Sequence, residues 1–213
     1  MKYFIFLILI LTASFSFAEE KKDFKDNKID SIIEKIKKSY NDVEILEADF
    51  EQTFYHKAYK RKKKSFGSVV FTKDLKMKWS YKNPEEKYII SNGITLWIYE
   101  PENEQAFKTL VKDTKLQDAT KFLLGKTEVL KDYNITLKNK NELILKPKKE
   151  SSYKVIYLTF NDDYKIIKTN MIDNFDNENI IVYKDIKINN FKPSKSFFDF
   201  IPPKGVEIIK KDN

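Results

Sequence analysis

The stretch Ile45-Leu46-Glu47-Ala48-Asp49-Phe50-Glu51-Gln52-Thr53-Phe54 alternates with a period of two. Leu46, Ala48, Phe50, Gln52 and Phe54 share one face, while Glu47, Asp49, Glu51 and Thr53 share the other. Successive side chains of a strand point to opposite faces, so this is a half-buried strand with one largely apolar side. The same alternation returns in Met77, Trp79 and Tyr81, set against Lys76, Lys78, Ser80 and Lys82. Asn92-Gly93, between Tyr88-Ile89-Ile90 and the run Ile94 to Tyr99, is a two-residue hairpin signal. Phe66 to Thr72, Gln105 to Leu110, Tyr133 to Lys138, Glu142 to Lys146, Lys154 to Phe160, Ile166 to Ile172 and Ile180 to Ile188 are further strand candidates. Counted together they make about eleven strands in hairpin succession.

Two helices interrupt them. Ile29, Ile32, Ile33 and Ile36 fall at i, i+3, i+4 and i+7, with Asn27 placed to cap, which predicts an amphipathic helix from Lys28 to about Tyr40. A second runs from Leu116 to Leu124 and stops at Gly125, the residue that best takes a left-handed C′ position. A mainly β (α+β) fold follows: a single strongly curved antiparallel sheet whose concave face the short helices cover. No linker, repeat or low-complexity tract divides residues 28–213, so one domain is expected. Ile94 to Tyr99 and Val155 to Phe160 are apolar or aromatic on both faces, so each is covered on both sides. Periodicity alone leaves open whether the concave side is a filled core or a cavity for a greasy ligand.

The start of the chain speaks to compartment. Met1-Lys2 is positive, Tyr3 to Phe17 is almost unbroken apolar, and Ser16-Phe17-Ala18 has the small-x-small form of a cleavage site. Residues 1–18 read as a secretory signal peptide, since the apolar run is shorter than the roughly 20 residues of a spanning helix. Residues 19–27 read as a charged, mobile leader. No Cys stands at the cleavage point for lipidation, so the mature chain is expected to be soluble and unanchored.

Composition narrows the chemistry. The chain of 213 residues has no Cys and one His, His56, which excludes thiol nucleophiles, disulfides and Cys- or His-pair metal sites. No paired acid–base constellation suggests a hydrolase. The formal charge of +8 gives a basic exterior attractive to anionic lipid. Export argues against nucleic acid as the partner. Lys60-Arg61-Lys62-Lys63-Lys64 lies between the first two strands and is expected to be a hairpin tip or loop, either solvated or docking on anionic headgroups or an acidic protein domain. His56, near the end of the first strand, reads as a structural or edge residue.

Several segments in order resemble the periplasmic outer-membrane lipoprotein carrier (LolA) family. They are Ala48-Asp49-Phe50-Glu51-Gln52, Gly67-Ser68-Val69-Val70-Phe71, Met77-Lys78-Trp79-Ser80-Tyr81 and Ser91-Asn92-Gly93-Ile94-Thr95-Leu96-Trp97-Ile98-Tyr99-Glu100-Pro101. Leu123-Leu124-Gly125, Leu145-Lys146-Pro147-Lys148 and the ending Phe198-Asp199-Phe200-Ile201-Pro202-Pro203-Lys204-Gly205-Val206-Glu207 agree. The resemblance spans Ile29 to Ile208. It implies an incomplete barrel of about eleven strands with helices as a lid. It also implies a non-enzymatic, cofactor-free periplasmic chaperone, monomeric, that receives the acyl chains of lipoproteins from an inner-membrane ABC-type exporter. An outer-membrane acceptor is a further candidate partner.

Phe50, Phe54, Met77, Trp79, Tyr81, Leu96 and Ile98 are then candidate walls of an acyl-chain site, with Leu123 and Leu124 on the lid helix and no metal site implied. The family usually places a basic residue, commonly Arg, before Pro at the positions of Lys73 and Asp74, where it clasps the lid. Lys73 keeps the charge without the guanidinium fork, and Asp74 stands ready to capture its ammonium. A lipid- or lipoprotein-sensing regulatory domain on the same fold is the alternative reading.

Overall fold

The computed structural model describes residues 27–113, 121 and 124–210. The expected signal segment 1–18, the leader up to residue 26 and most of the helix expected over Leu116 to Leu124, Leu123 included, lie outside the described residues. Residues 27–39 are helical (α1), so Asn27 stands within the helix rather than capping it, and Tyr40 begins the turn that follows. The apolar stripe behaves as its spacing predicts: Ile29, Ile32 and Ile36 are buried while Lys28, Asp30, Glu34, Lys35 and Lys37 are exposed. Gly125 has φ of 62°, and the Lys126 N–H donates to the Lys121 carbonyl at 2.8 Å, the bond that closes a helix ending on a left-handed residue.

Twelve strands follow, one more than the sequence suggests: β1 (Ile45–His56), β2 (Arg61–Thr72), β3 (Met77–Asn83), β4 (Lys87–Ser91), β5 (Thr95–Glu100), β6 (Gln105–Leu110), β7 (Tyr133–Asn139), β8 (Glu142–Pro147), β9 (Tyr153–Phe160), β10 (Ile166–Asp173), β11 (Glu178–Ile188) and β12 (Glu207–Lys210). They form a single sheet in the order β12-β6-β5-β4-β3-β2-β1-β11-β10-β9-β8-β7. All neighbours are antiparallel except β12, which runs parallel to β6. The additional strand is short, and its pairing is made by a chain segment arriving from far along the sequence, which local periodicity does not reveal. The sheet stays open, with β12 and β7 as its edges.

Its curvature is set by what it encloses. One continuous core runs from Leu96 on β5 through β3, β2, β1, β11 and β10 to Leu143 and Leu145 on β8, and it includes Ile32, Ile36 and Tyr40. The convex side is covered by the chain leaving β11. Phe198 is buried against Ile45 and Val70 with Phe191 and Phe197 beside it, and Phe200 packs on Trp97 and Tyr99 at 5.5 and 5.1 Å between ring centroids. Both faces of β5 are therefore covered.

Two local expectations change. Arg61 to Lys64 are not loop residues: they begin β2, with Arg61, Lys62, Lys63 and Lys64 opposite His56, Tyr55, Phe54 and Thr53. Main-chain pairing is indifferent to side-chain charge, so the basic run is drawn into the ladder and only Lys60 remains in the turn, with φ of 51°. Alternation then sends Arg61 and Lys63 to one face and Lys62 and Lys64 to the other. The Asn92-Gly93 hairpin is present, but three residues link β4 and β5, because the Asn92 carboxamide oxygen accepts the N–H groups of Ile94 and Thr95 at 3.1 and 2.9 Å.

Gly67 shapes the inner face. It stands between Phe50 of β1 and Tyr81 of β3, and the two rings meet across it with centroids 4.9 Å apart. A Cβ there would overlap the Ser80 carbonyl oxygen and lie 2.9 Å from Phe50 Cε1. The backbone carbonyl is held in the ladder and cannot retreat. Gly67→Ala is therefore expected to lower unfolding free energy by about 1–3 kcal/mol, the scale of core overpacking, read as a reduced midpoint in urea.

Candidate functional site

The concave face is built from cross-strand rows. Ile98, Ile89, Trp79, Val69 and Ala48 are successive partners across β5, β4, β3, β2 and β1. Leu96, Ser91, Met77, Phe71 and Leu46 form the next row. Tyr81, Gly67, Phe50 and Tyr183 form a third, reaching β11. Period-two alternation makes every member of a row point to the same side.

The structure brings Phe50, Met77, Trp79, Tyr81 and Leu96 together on this face and buries all five, and Leu124 joins the same core. Ile98 is half-buried in the row of Trp79, toward β6, and Phe54 is 38% exposed near the open end of the sheet. Leu123 is outside the described residues. Phe50 meets Trp79 edge-to-face at 4.9 Å, Phe71 meets Trp79 at 5.7 Å, and Trp79 lies 6.4 Å from Tyr183. In this closed arrangement the side chains pack against one another beneath α1. Phe71 and Tyr183 belong to this cluster although the sequence reading did not select them; the alternations Val69-Phe71 and Ile181-Tyr183 carried the signal.

At the open end the face leads into a cleft of about 450 Å³ lined by Gln52, Phe54, Lys63, Tyr81, Glu85, Lys87 and Glu100. Lys87 Nζ sits 4.6 Å from the Tyr81 ring centroid, and Lys63 pairs with Glu85 at 2.7 Å. The entrance is polar and the interior apolar. Burial pushes the Tyr81 phenol up to about 12 and raises Tyr40 and Tyr183 further. On the outer face Glu51 is held below the ordinary carboxylate range by hydrogen bonds from Lys64 and Lys184 at 3.0 and 3.2 Å.

α1 is fastened at one end. The Ile166 N–H donates to the buried Tyr40 hydroxyl oxygen at 2.9 Å, Lys165 Nζ lies 4.4 Å from the Tyr40 ring centroid, and a Cβ on Gly125 would run into that ring. Ser39 Oγ lies 3.1 Å from the Tyr164 carbonyl oxygen, and Lys35 Nζ donates to the Tyr164 hydroxyl at 3.1 Å. These contacts tie the C-terminal part of α1 to β10 and the β9–β10 turn. Nothing in the sequence marked Tyr40 for this, because Ile166 and Lys165 are more than 120 residues away.

Lys73 does not pair with Asp74. Its ammonium reaches Glu44 at 2.7 Å, in the link between α1 and β1, while Asp74 is taken by the Thr72 hydroxyl and by Lys76 at 2.9 Å. Both members of the Lys73–Glu44 pair are substantially exposed, so it contributes at most about 1 kcal/mol. The same link is gripped more firmly by Asn189, whose carboxamide oxygen accepts the Glu44 and Ile45 N–H groups at 2.9 and 3.1 Å and whose NH₂ donates to the Asp42 carbonyl at 2.7 Å. His56 packs its ring 4.5 Å from Tyr59 and 6.3 Å from Phe54. Among the described residues no group of three or more His, Asp or Glu is arranged to hold a metal ion, and no helix is long and apolar enough to cross a membrane.

The result is an open curved sheet whose apolar concave face shares a core with α1 and opens into a polar cleft at one end, the architecture of a carrier-type half-barrel. The sequence matches the family described as outer membrane lipoprotein carrier protein LolA over residues 41–201, and the chain belongs to that family. An outer-membrane lipoprotein carrier protein of Chromobacterium violaceum is 26% identical over 187 residues, covering 85% of this chain and 89% of its own. One of Francisella tularensis subsp. novicida is 27% identical over 98% of this chain and 96% of its own. Among solved structures, an uncharacterized conserved protein from Thermus thermophilus has the same fold, with a TM-score of 0.55 at 8% identity, covering 86% of this chain and 99% of that one.

Two outcomes test the inner face as described. Tyr40→Phe strands the buried Ile166 N–H and is expected to cost about 1–3 kcal/mol in chemical denaturation. Alkali is expected to unfold the protein through its tyrosines. Below about pH 10 the phenols are neutral in both states and stability is complete. Between 10 and 12 the unfolded chain loses protons that the folded one keeps, so stability falls with rising pH. Tyrosinate absorbance that rises together with loss of near-ultraviolet circular dichroism is the expected observation; ionisation of all tyrosines well before unfolding is the contrary one.

Proposed function

We propose that this chain is a periplasmic chaperone that carries acylated lipoproteins from an inner-membrane ABC-type exporter toward the outer membrane, holding their acyl chains against the concave face. The observation that carries the reading is the continuous apolar face beneath a helix whose polar fastenings lie at its C-terminal end alone among the described residues. Such a helix opens as a flap. Ile29, Ile32 and Ile36 give way to an acyl chain while Ser39 and Tyr40 hold the hinge.

The energetics suit transport. Burying a methylene is worth about 0.8 kcal/mol, so one long acyl chain represents on the order of 10 kcal/mol, and several held perfectly would exceed the practical ceiling of non-covalent affinity. Phe50, Trp79 and Tyr81 are already packed ring to ring in a core that they share with Ile32 and Ile36 of α1, and part of that packing must be given up for cargo to enter. The cost offsets part of the gain and keeps release possible. Binding and release break no covalent bond and need no cofactor. Lys73 acts here through Glu44, steadying the foot of the flap.

Ile98→Glu tests the site. Ile98 is half-buried in the row that leads from Phe107 on β6 to Trp79, so a carboxylate there is tolerated in the empty protein but obstructs an acyl chain. The variant is expected to melt close to the wild type and to load a triacylated lipoprotein about tenfold less well, a difference of about 1.4 kcal/mol. Native mass spectrometry of the wild type purified from periplasm is expected to show retained acylated protein. A folded variant that loads as well as the wild type removes the concave face as the site.

A further inference from the structure

Two neighbouring turns at the open end of the sheet carry aromatic side chains that the carrier reading does not use. Tyr59, in the β1–β2 turn, is 72% exposed, and Phe175, in the β10–β11 turn, is 82% exposed. β1 and β11 are paired neighbours with Tyr55 opposite Glu178, so the turns lie side by side, and the Lys57 N–H donates across them to Asn177 Oδ1 at 3.0 Å. The His56 ring supports Tyr59 from beneath at 4.5 Å. In the β10–β11 turn the Asp173 carboxylate is occupied by the Phe175 and Asn177 N–H groups at 2.8 and 2.9 Å, which fixes the turn that presents Phe175.

The charge around the pair is graded. Lys60, Arg61 and Lys62 are exposed and have no ion-pair partner among the described residues, while Lys63 and Lys64 are taken by Glu85 and Glu51. Asp176 is neutralised by Lys154 at 2.8 Å. Across the entrance the β3–β4 and β5–β6 turns carry Glu86, Glu102 and Glu104, all exposed, beside Glu85, whose charge Lys63 takes. One rim of the open end is thus basic and aromatic and the opposite rim acidic.

We propose that the paired β1–β2 and β10–β11 turns are a bilayer-docking corner: Tyr59 and Phe175 enter the headgroup region of an anionic membrane while Lys60, Arg61 and Lys62 bind its phosphates. Aromatic side chains with adjacent Lys or Arg are the chemistry that settles at that interface. Strand alternation fans the three cations around the tip instead of gathering them on one face, which suits a diffuse anionic plane better than a shaped protein partner. The acidic rim is repelled by the same surface, so the molecule docks tilted on this one corner, with the cleft beside the lipid. The corner works without cargo, and its test leaves the carrier reading untouched.

The test is co-sedimentation of the full mature protein, without lipoprotein, with phosphatidylcholine vesicles that contain or lack phosphatidylglycerol. The wild type is expected to bind the anionic vesicles and to be released by raised salt. Neutralising Lys60, Arg61 and Lys62 together to Ser is expected to weaken partitioning on the order of a hundredfold, about fivefold per cation near an anionic surface. Tyr59→Ser with Phe175→Ser is expected to weaken it roughly tenfold while leaving the melting temperature unchanged, since both side chains are exposed. Phe175→Trp is expected to show blue-shifted emission on anionic vesicles only. Equal sedimentation of the wild type and both sets of variants overturns the proposal. So does failure to bind vesicles together with salt-sensitive capture by a periplasmic domain of the exporter, which would make the corner a protein interface.

Discussion

Everything in this molecule depends on the burial of an aromatic inner face in a core that α1 shares. A twelve-stranded open sheet cannot close on itself, so the apolar rows that run from Ile98 to Ala48 and from Leu96 to Leu46 must be covered from outside the ladder. α1 supplies Ile32 and Ile36 to that cover, and the sheet curls far enough for β5 and β8 to share one core with them. Gly67 is the local condition for that packing, because a missing side chain at the centre of the face lets Phe50, Trp79 and Tyr81 meet ring to ring.

Among the described residues the polar contacts of this cover gather at the C-terminal end of α1. Apolar contact is non-directional and roughly proportional to area, so one greasy surface replaces another at little cost. A buried hydrogen bond has a defined partner and geometry. Among the described residues, α1 has the first kind of contact along its stripe and the second kind at Ser39, at its end, and at Tyr40 just beyond it. Asn189 holds the link between α1 and β1, so the segment that covers the convex face also fixes the way α1 joins the sheet.

Charge is arranged on the same plan. Among the described residues no ionisable acid or base is buried in the core, and its tyrosines stay neutral because burial disfavours the phenolate. The ionic side chains are sorted to the outer face and the rim, where Glu51, Lys64 and Lys184 form an exposed network and where basic and acidic turns occupy opposite sides of the entrance.

The helix of isoleucines, most of the strands, the inner faces of β1 and β3 and the family to which the chain belongs were all legible in the order of the amino acids. These rest on periodicity and short motifs, and periodicity is a local consequence of backbone geometry that survives without knowledge of what packs on it. It misplaced Arg61 to Lys64 because charge signals solvation while hydrogen-bonded pairing sets the ladder, and it missed β12 because a parallel partner arrives from a distant segment. Tyr40, Asn189, the convex aromatic strap and the side-by-side placement of Tyr59 and Phe175 took their roles only when the chain folded. Each is a contact between residues more than 100 positions apart, and such contacts leave no spacing in the chain to be read.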